Sequence, residues 1–246
     1  MKYLELFSEK RVFDFSYVLE ITKSKSLADE TIQNYLKKGY IKRVKKNLYV
    51  TKSLENTGVI PTKFEIASNV TKSSYISHHS AFEYYGYSNQ VYNEVVTSSM
   101  ERFRDFSFEF NTYSYKRTTN DNFVNTINGV RVSTISKTIV DIIDDIKSYD
   151  DMEELMNNLK ALPIIDGSHI LEYLFFVNKK ILFSKVGLVL SHFNDGFMID
   201  NQFLEQMKKL GSQSAKYFTN EEHRMCTYYK EWNLYCYDME QFISEK

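Results

Sequence analysis

Two cysteines, two prolines, eight glycines and one tryptophan are all that 246 residues contain of the types that staple, break or hinge a backbone. With only Cys226 and Cys236, a disulfide scaffold is excluded, and in a reducing compartment both are expected as free thiols. His223 stands three residues before Cys226, but nothing else has ligand spacing, so no zinc site is expected. The scarcity of Pro and Gly leaves no Pro/Gly-rich linker. No apolar run approaches the length of a bilayer span. The N-terminal M-K-Y-L-E-L-F-S-E-K carries Glu5 and Glu9 where a signal peptide is apolar, so a cytoplasmic protein is expected.

Catalytic signatures are missing as well. There is no P-loop, no G-x-S-x-G and no H-E-x-x-H. A nucleotidyltransferase needs Gly-Ser followed by paired Asp ligands, because hard cations require oxygen donors. Gly167-Ser168 and Gly211-Ser212 are present, but neither is followed by D-x-D. The acidic pairs Asp144-Asp145 and Asp150-Asp151 sit among charges such as Glu153 and Glu154 and read as a solvated helix face. The sequence therefore predicts no enzyme, no catalytic or metal site and no cofactor.

What is present is a globular composition, 43% hydrophobic and 26% charged, with 19 Tyr and 18 Phe. The net charge of -1 conceals an asymmetry. Residues 1–58 hold 12 Lys or Arg against 7 Asp or Glu, leaving 19 against 25 for the remainder. Such halves suggest that one part meets a polyanion.

The basic part has an order. Met1 to Glu9 places Leu4, Leu6 and Phe7 on a helical stripe. Asp14 or Ser16 can cap a second helix whose Val18, Leu19 and Ile21 face a core. Ser26 can cap a third, where Asp29 and Glu30 suit the positive helix end. Ile32, Tyr35 and Leu36 give this helix its stripe, and Gly39 stops it. Strand character follows in Tyr40–Val44 and Leu48–Val50, joined by a turn at Lys45, Lys46 and Asn47, where Asn tolerates positive φ. Three helices and a basic hairpin are the order of a winged helix-turn-helix. On the third helix Thr31, Gln33, Asn34 and Lys37 are candidates for base edges, since Asn and Gln pair with adenine and Lys reaches guanine. Lys42, Arg43, Lys45 and Lys46 are candidates for the phosphate backbone, and Lys38 and Asn47 for further DNA contacts.

The predicted fold class is α+β, with a winged helix over 1–55 and a larger mixed α/β domain over 60–246. Thr51–Val59 is the boundary, and Pro61 suits the first position of a new helix. Helices are predicted over 61–70 and 77–85, the latter capped by Ser77. Strands follow at 91–97, 106–110 and 113–115, and a hairpin turns on Asn128-Gly129. The alternating Phe of 106–110 is read as a buried sheet face rather than a stacking platform. Helices resume over 137–146, 150–159, 167–177, 184–193 and 200–210, and Trp232–Tyr237 reads as a late strand. His78-His79 are adjacent, so they face differently on a helix, and they are read as packing or capping groups.

Three stretches carry a family resemblance: G-Y-I-K-R-V-K-K-N-L-Y at 39–49, Y-I-S-H-H-S-A-F-E-Y-Y-G at 75–86, and W-N-L-Y at 232–235. Together they resemble the AbiEi antitoxins of abortive-infection systems. The resemblance implies a repressor of its own operon that binds repeated or palindromic promoter sites. It also implies an antitoxin that neutralises a nucleotidyltransferase-like toxin without a stable complex, in a phage-defence setting. The wing turn of such proteins often has Arg-Gly; here it is Lys46-Asn47, and Asn can replace Gly at positive φ. Two alternatives stand beside it. An enzyme whose C-terminal domain modifies a toxin or nucleic acid would depend on a nucleotide or metal. A protein-binding antitoxin would co-purify with its partner.

Overall fold

The computed structural model describes residues 3–52, 60–88, 90–193, 199–219 and 226–243. The fold is α+β, and the chain divides into two compact units. The first comprises Met1–Ser80 and Tyr92–Val132, the second Ala81–Val91 and Ser133–Lys246. The boundary expected between 55 and 60 lies inside the first unit, and residues 53–59 fall outside the described ones.

The first unit begins α1 (Leu4–Lys10), β1 (Val12–Asp14), α2 (Phe15–Thr22), α3 (Lys25–Lys37), β2 (Ile41–Lys45), β3 (Leu48–Thr51). The three helices and the hairpin follow the expected order. Strand β1, not expected from the sequence, pairs antiparallel with β3 and gives a sheet of order β1-β3-β2. Asp14 caps α2 by accepting from the Tyr17 amide at 2.9 Å. The cap of α3 is Ser24, not Ser26: its hydroxyl accepts from the Leu27 amide at 3.4 Å, and the helix starts one residue later. Gly39 leaves α3 with φ +72°, and Asn47 turns the hairpin with φ +63°, a conformation Asn tolerates better than most residues.

Leu4, Phe7, Phe13, Val18, Ala28, Ile32, Tyr35, Ile41 and Tyr49 form the core beneath these elements. Phe7 stacks on Phe13 with centroids 4.5 Å apart and meets the edge of Tyr35 at 5.5 Å. Two residues expected on apolar stripes are outside it, because their faces turn to solvent: Leu6 is 40% and Leu19 38% exposed.

The chain continues through α4 (Lys63–Ala67), β4 (Tyr75–Ile76), α5 (His79–Tyr85), β5 (Glu94–Ser99), β6 (Phe106–Phe108), β7 (Asn111–Arg117), β8 (Val124–Ile127) and β9 (Val130–Ser133); of these, α5 belongs to the second unit from Ala81 on, and the strands up to Val132 belong to the first. These strands make a sheet of order β6-β7-β5-β4-β9-β8. It is mixed: β5 runs parallel to β7 and β4 parallel to β9, while β4–β5 and β6–β7 are antiparallel. The β8–β9 hairpin turns on Asn128 (φ +50°) and Gly129 (φ +78°), the two positive φ values of a type I′ turn. Pro61 is not the first residue of α4, since Thr62 after it is the cap and forms a capping box with Glu65. The alternating aromatics are only partly core. Tyr113 is buried and stacks on Phe106 at 4.7 Å, but Phe106 and Phe108 are half-buried and Phe110 is 90% exposed. His78 bonds Ser77 through Nδ1 at 2.9 Å, and His79 packs on Tyr92 at 4.3 Å.

The second unit contains α6 (Ile135–Asp145), α7 (Tyr149–Lys160), α8 (Gly167–Val177), α9 (Lys180–Leu190), α10 (Asn201–Leu210), β10 (Lys216–Tyr217), β11 (Thr227–Tyr229) and β12 (Leu234–Cys236). Strand β12 lies between the other two, parallel to β10 and antiparallel to β11. Helix α9 begins four residues earlier than the sequence suggested, and every residue from Leu182 to Leu190 is buried. Its Gly187 accommodates the ring of Trp232, which stands in a single 3-10 turn: a Cβ there would lie 2.1 Å from the ring. Gly187→Ala is therefore expected to lower stability by about 1–3 kcal/mol, since an overpacked core shifts side chains or backbone. A urea midpoint with unchanged slope measures it, and a variant as stable as wild type would refute this packing.

Cys236 is buried, and burial pushes its thiol up to about 12, whereas Cys226 is half-buried; no disulfide joins the two. His223 lies outside the described residues. Among the described residues no helix is long and apolar enough to cross a membrane, and no group of three or more His, Cys, Asp or Glu could hold a metal ion.

Candidate nucleic-acid interface

The proposed reading helix is α3. Its buried side carries Ala28, Thr31, Ile32 and Tyr35. At 100° per residue, Gln33 and Lys37 share the opposite face with Ser26 and Glu30, and Asn34 flanks it. Gln33, Asn34, Lys37 and Lys38 are all exposed. Thr31 is not: it is 6% exposed and cannot face a base edge. The spacing of 28, 31, 32 and 35, i, i+3, i+4, i+7, was the signal that placed Thr31 inward.

The hairpin divides its basic residues into two sets. A register shift between Arg43 and Lys45 marks a bulge in β2, which breaks the alternation of faces. Ile41 and Val44, three apart, are consequently both buried. Lys45 is half-buried, with Nζ 4.8 Å from the Phe103 ring centroid and 5.1 Å from that of Phe106. Burial lowers the pKa of its ammonium. Lys42 donates to Glu109 Oε1 at 2.5 Å. Both were expected to meet phosphates; instead they fasten the hairpin to the six-stranded sheet of the same unit. Arg11 adds a bidentate pair to Glu65, at 2.6 and 3.2 Å. The desolvation cost on the Glu65 carboxyl is outweighed by bonds from Arg11 and Thr62, so its pKa is lowered.

The second set points outward. Lys37, Lys38, Arg43 and Lys46 are exposed and make no ion pair among the described residues. Arg43 sits 5.7 Å from the Tyr49 ring, which braces its guanidinium, and Asn47 is exposed at the tip. The candidate interface is thus four cations and three amide or turn residues on one helix and one hairpin. It offers point charges and bidentate donors to a polyanion.

No family model matches this chain, and no curated protein does. Among solved structures, the chain is similar to the RV2827C protein from Mycobacterium tuberculosis. The likeness covers 98% of this chain and 92% of that one, with a TM-score of 0.59 and 10% sequence identity. At that identity it is a likeness of fold.

Proposed function

We propose that this protein is a DNA-binding repressor of its own promoter and an antitoxin of the AbiEi type. The observation that carries the first half is the joint exposure of Gln33, Asn34 and Lys37 on α3 with Arg43 and Lys46 on the hairpin that follows it. The order helix, strand, helix, helix, hairpin, with β1 closing the sheet, supports the winged-helix reading. In this reading α3 lies in the major groove, Gln33 and Asn34 read base edges, and Lys38, Arg43 and Lys46 replace counterions on the backbone. Repeated or palindromic sites would take two copies, and repression would be occlusion of the promoter. The antitoxin half rests on the resemblance at 39–49, 75–86 and 232–235. Its partner would be a nucleotidyltransferase-like toxin, and its role is neutralisation without catalysis of its own.

The test is a titration of promoter DNA at several salt concentrations. Lys37→Ala/Lys38→Ala/Arg43→Ala/Lys46→Ala should weaken binding and flatten the salt slope by roughly 0.9 for each phosphate no longer neutralised. Lys42→Ala/Lys45→Ala should flatten it far less, because those ammonium groups face Glu109 and two rings. No specific binding by the wild type, or equal slopes for the first variant and the wild type, would sink the repressor reading. The antitoxin half is tested separately, by rescue of growth when the adjacent toxin gene is expressed with this one.

A further inference from the structure

The second unit holds a cavity of about 650 Å³ lined by residues of α6, α9 and β10 and the turns beside them. That volume is within the range of about 300–1,000 Å³ typical of small-molecule sites. Nothing in the repressor reading uses it. Its unusual member is Lys185. This side chain sits in the fully buried run of α9, is 8% exposed, and lines the cavity. It makes no hydrogen bond or ion pair among the described residues; the Phe218 ring lies 5.1 Å from Nζ, and the Asp144 and Asp145 carboxylates act on the ammonium from beyond ion-pair distance. An ammonium so placed has lost water without gaining a hydrogen-bonding counter-ion, which destabilises a fold unless something else compensates. Desolvation accordingly lowers its pKa.

The rest of the lining narrows what compensates. Lys147 and Lys216 add two more ammonium groups, so an anion is favoured. Two carboxylates, Asp144 and Asp145, also line it, and Asp144 is held by Lys179 at 2.7 Å. Carboxylates beside an anion site suit a ligand that also presents hydroxyl donors, as a ribose does. Tyr217 supplies a ring at the same cavity. That ring is 46% exposed and is held by a cross-strand stack, 5.0 Å from Tyr235, which is in turn 4.7 Å from Tyr228. A planar base can extend such a stack.

We infer that this cavity binds a nucleoside phosphate, with the phosphate on Lys185, the sugar hydroxyls toward Asp145 and the base against Tyr217. The same chemistry is offered by a free mononucleotide and by the phosphorylated end of a single strand. The site is built wholly from the second unit, whereas α3 and its hairpin belong to the first, and its existence does not depend on promoter binding.

The experiment is calorimetric titration of the full chain with two probes, adenosine 5′-monophosphate and a 5′-phosphorylated octa-adenylate RNA, with adenosine as the phosphate-free control. Saturable binding of either phosphorylated probe, at least tenfold tighter than adenosine, is expected; which of the two binds better identifies the source. Lys185→Met should lose at least tenfold in affinity while its thermal midpoint stays level or rises, because an uncompensated buried charge becomes an apolar thioether. Tyr217→Ala, at an exposed position, should lose about tenfold, the effect of one base–aromatic stack. It keeps the test decisive if Lys185→Met fails to fold. Absence of binding by both probes overturns the inference. So does equal affinity for adenosine, or wild-type affinity in the variants that fold.

Discussion

Phe7→Ala is expected to cost about 3–5 kcal/mol, the loss typical of a buried phenylalanine truncated in a core. The side chain is fully buried, and its ring is shared by three others: Phe13 stacked at 4.5 Å, Tyr35 edge-on at 5.5 Å and Tyr17 tilted at 6.4 Å. None of those rings can fill the void easily. Phe13 is fixed by β1 pairing with β3, Tyr35 by the interior of α3, and Tyr17 by the first turn of α2 that Asp14 caps. The Phe7 carbonyl also accepts from the Thr51 hydroxyl at 2.7 Å, tying α1 to the end of β3. The backbone therefore stays and a cavity remains. Since a domain is stable by only about 5–15 kcal/mol, this loss should unfold a measurable share of molecules at 37 °C. The neighbouring Leu6→Ala, at 40% exposure, should change stability by no more than about 0.5 kcal/mol. Urea titrations of both variants by far-ultraviolet circular dichroism decide it; similar midpoints for the two would refute this packing of the core.

That contrast between adjacent residues also marks how far the sequence could be read. Elements with local causes were legible. The Asn128-Gly129 hairpin follows from two residues that tolerate positive φ, and α8 occupies the range 167–177 predicted for it. What escaped depends on partners distant in sequence. Strand β1 has three residues and no alternation to betray it; it exists because Val12–Asp14 finds Leu48–Val50. Helix α9 is buried all round, so its apolar run had no period by which to place its start. At the interface, Lys37, Lys38, Arg43 and Lys46 were readable as exposed charges, whereas the fate of Lys42 and Lys45 was not. It is decided by Glu109, Phe103 and Phe106, some sixty residues on, and by a bulge that no local rule announces. The cavity around Lys185 is the extreme case, gathered from residues 144–147, 181–185 and 215–219 with no motif in common.

Asp141→Ala is the second large effect expected, again about 3–5 kcal/mol, and here the cause is charge rather than volume. Lys137 is 3% exposed on the inner face of α6. Its Nζ lies 2.9 Å from Asp141 Oδ2, donates to the Tyr173 hydroxyl at 2.7 Å, and stands 4.7 Å from the centre of that ring. Tyr173 in turn donates to Asp141 Oδ1 at 2.7 Å, so ammonium, phenol and carboxylate close a ring of three interactions between α6 and α8. Removing the carboxylate leaves a buried cation without that counter-charge and a buried phenol without that acceptor. The reverse truncation is milder. In Lys137→Met the carboxylate that remains is 23% exposed, keeps its bond from Tyr173 and can be hydrated, so about 1–2 kcal/mol is expected. Replacing both, in Lys137→Met/Asp141→Leu, should bring stability back toward the wild type, because neither desolvated charge is left to penalise the fold. The double variant thus separates two meanings of the pair. If it is nearly as stable as the wild type while Asp141→Ala is not, the charged cluster fixes how α6 and α8 meet and adds little net free energy. If Asp141→Ala proves milder than Lys137→Met, the carboxylate is not the group that compensates Lys137, and some other group must hold that ammonium in the core.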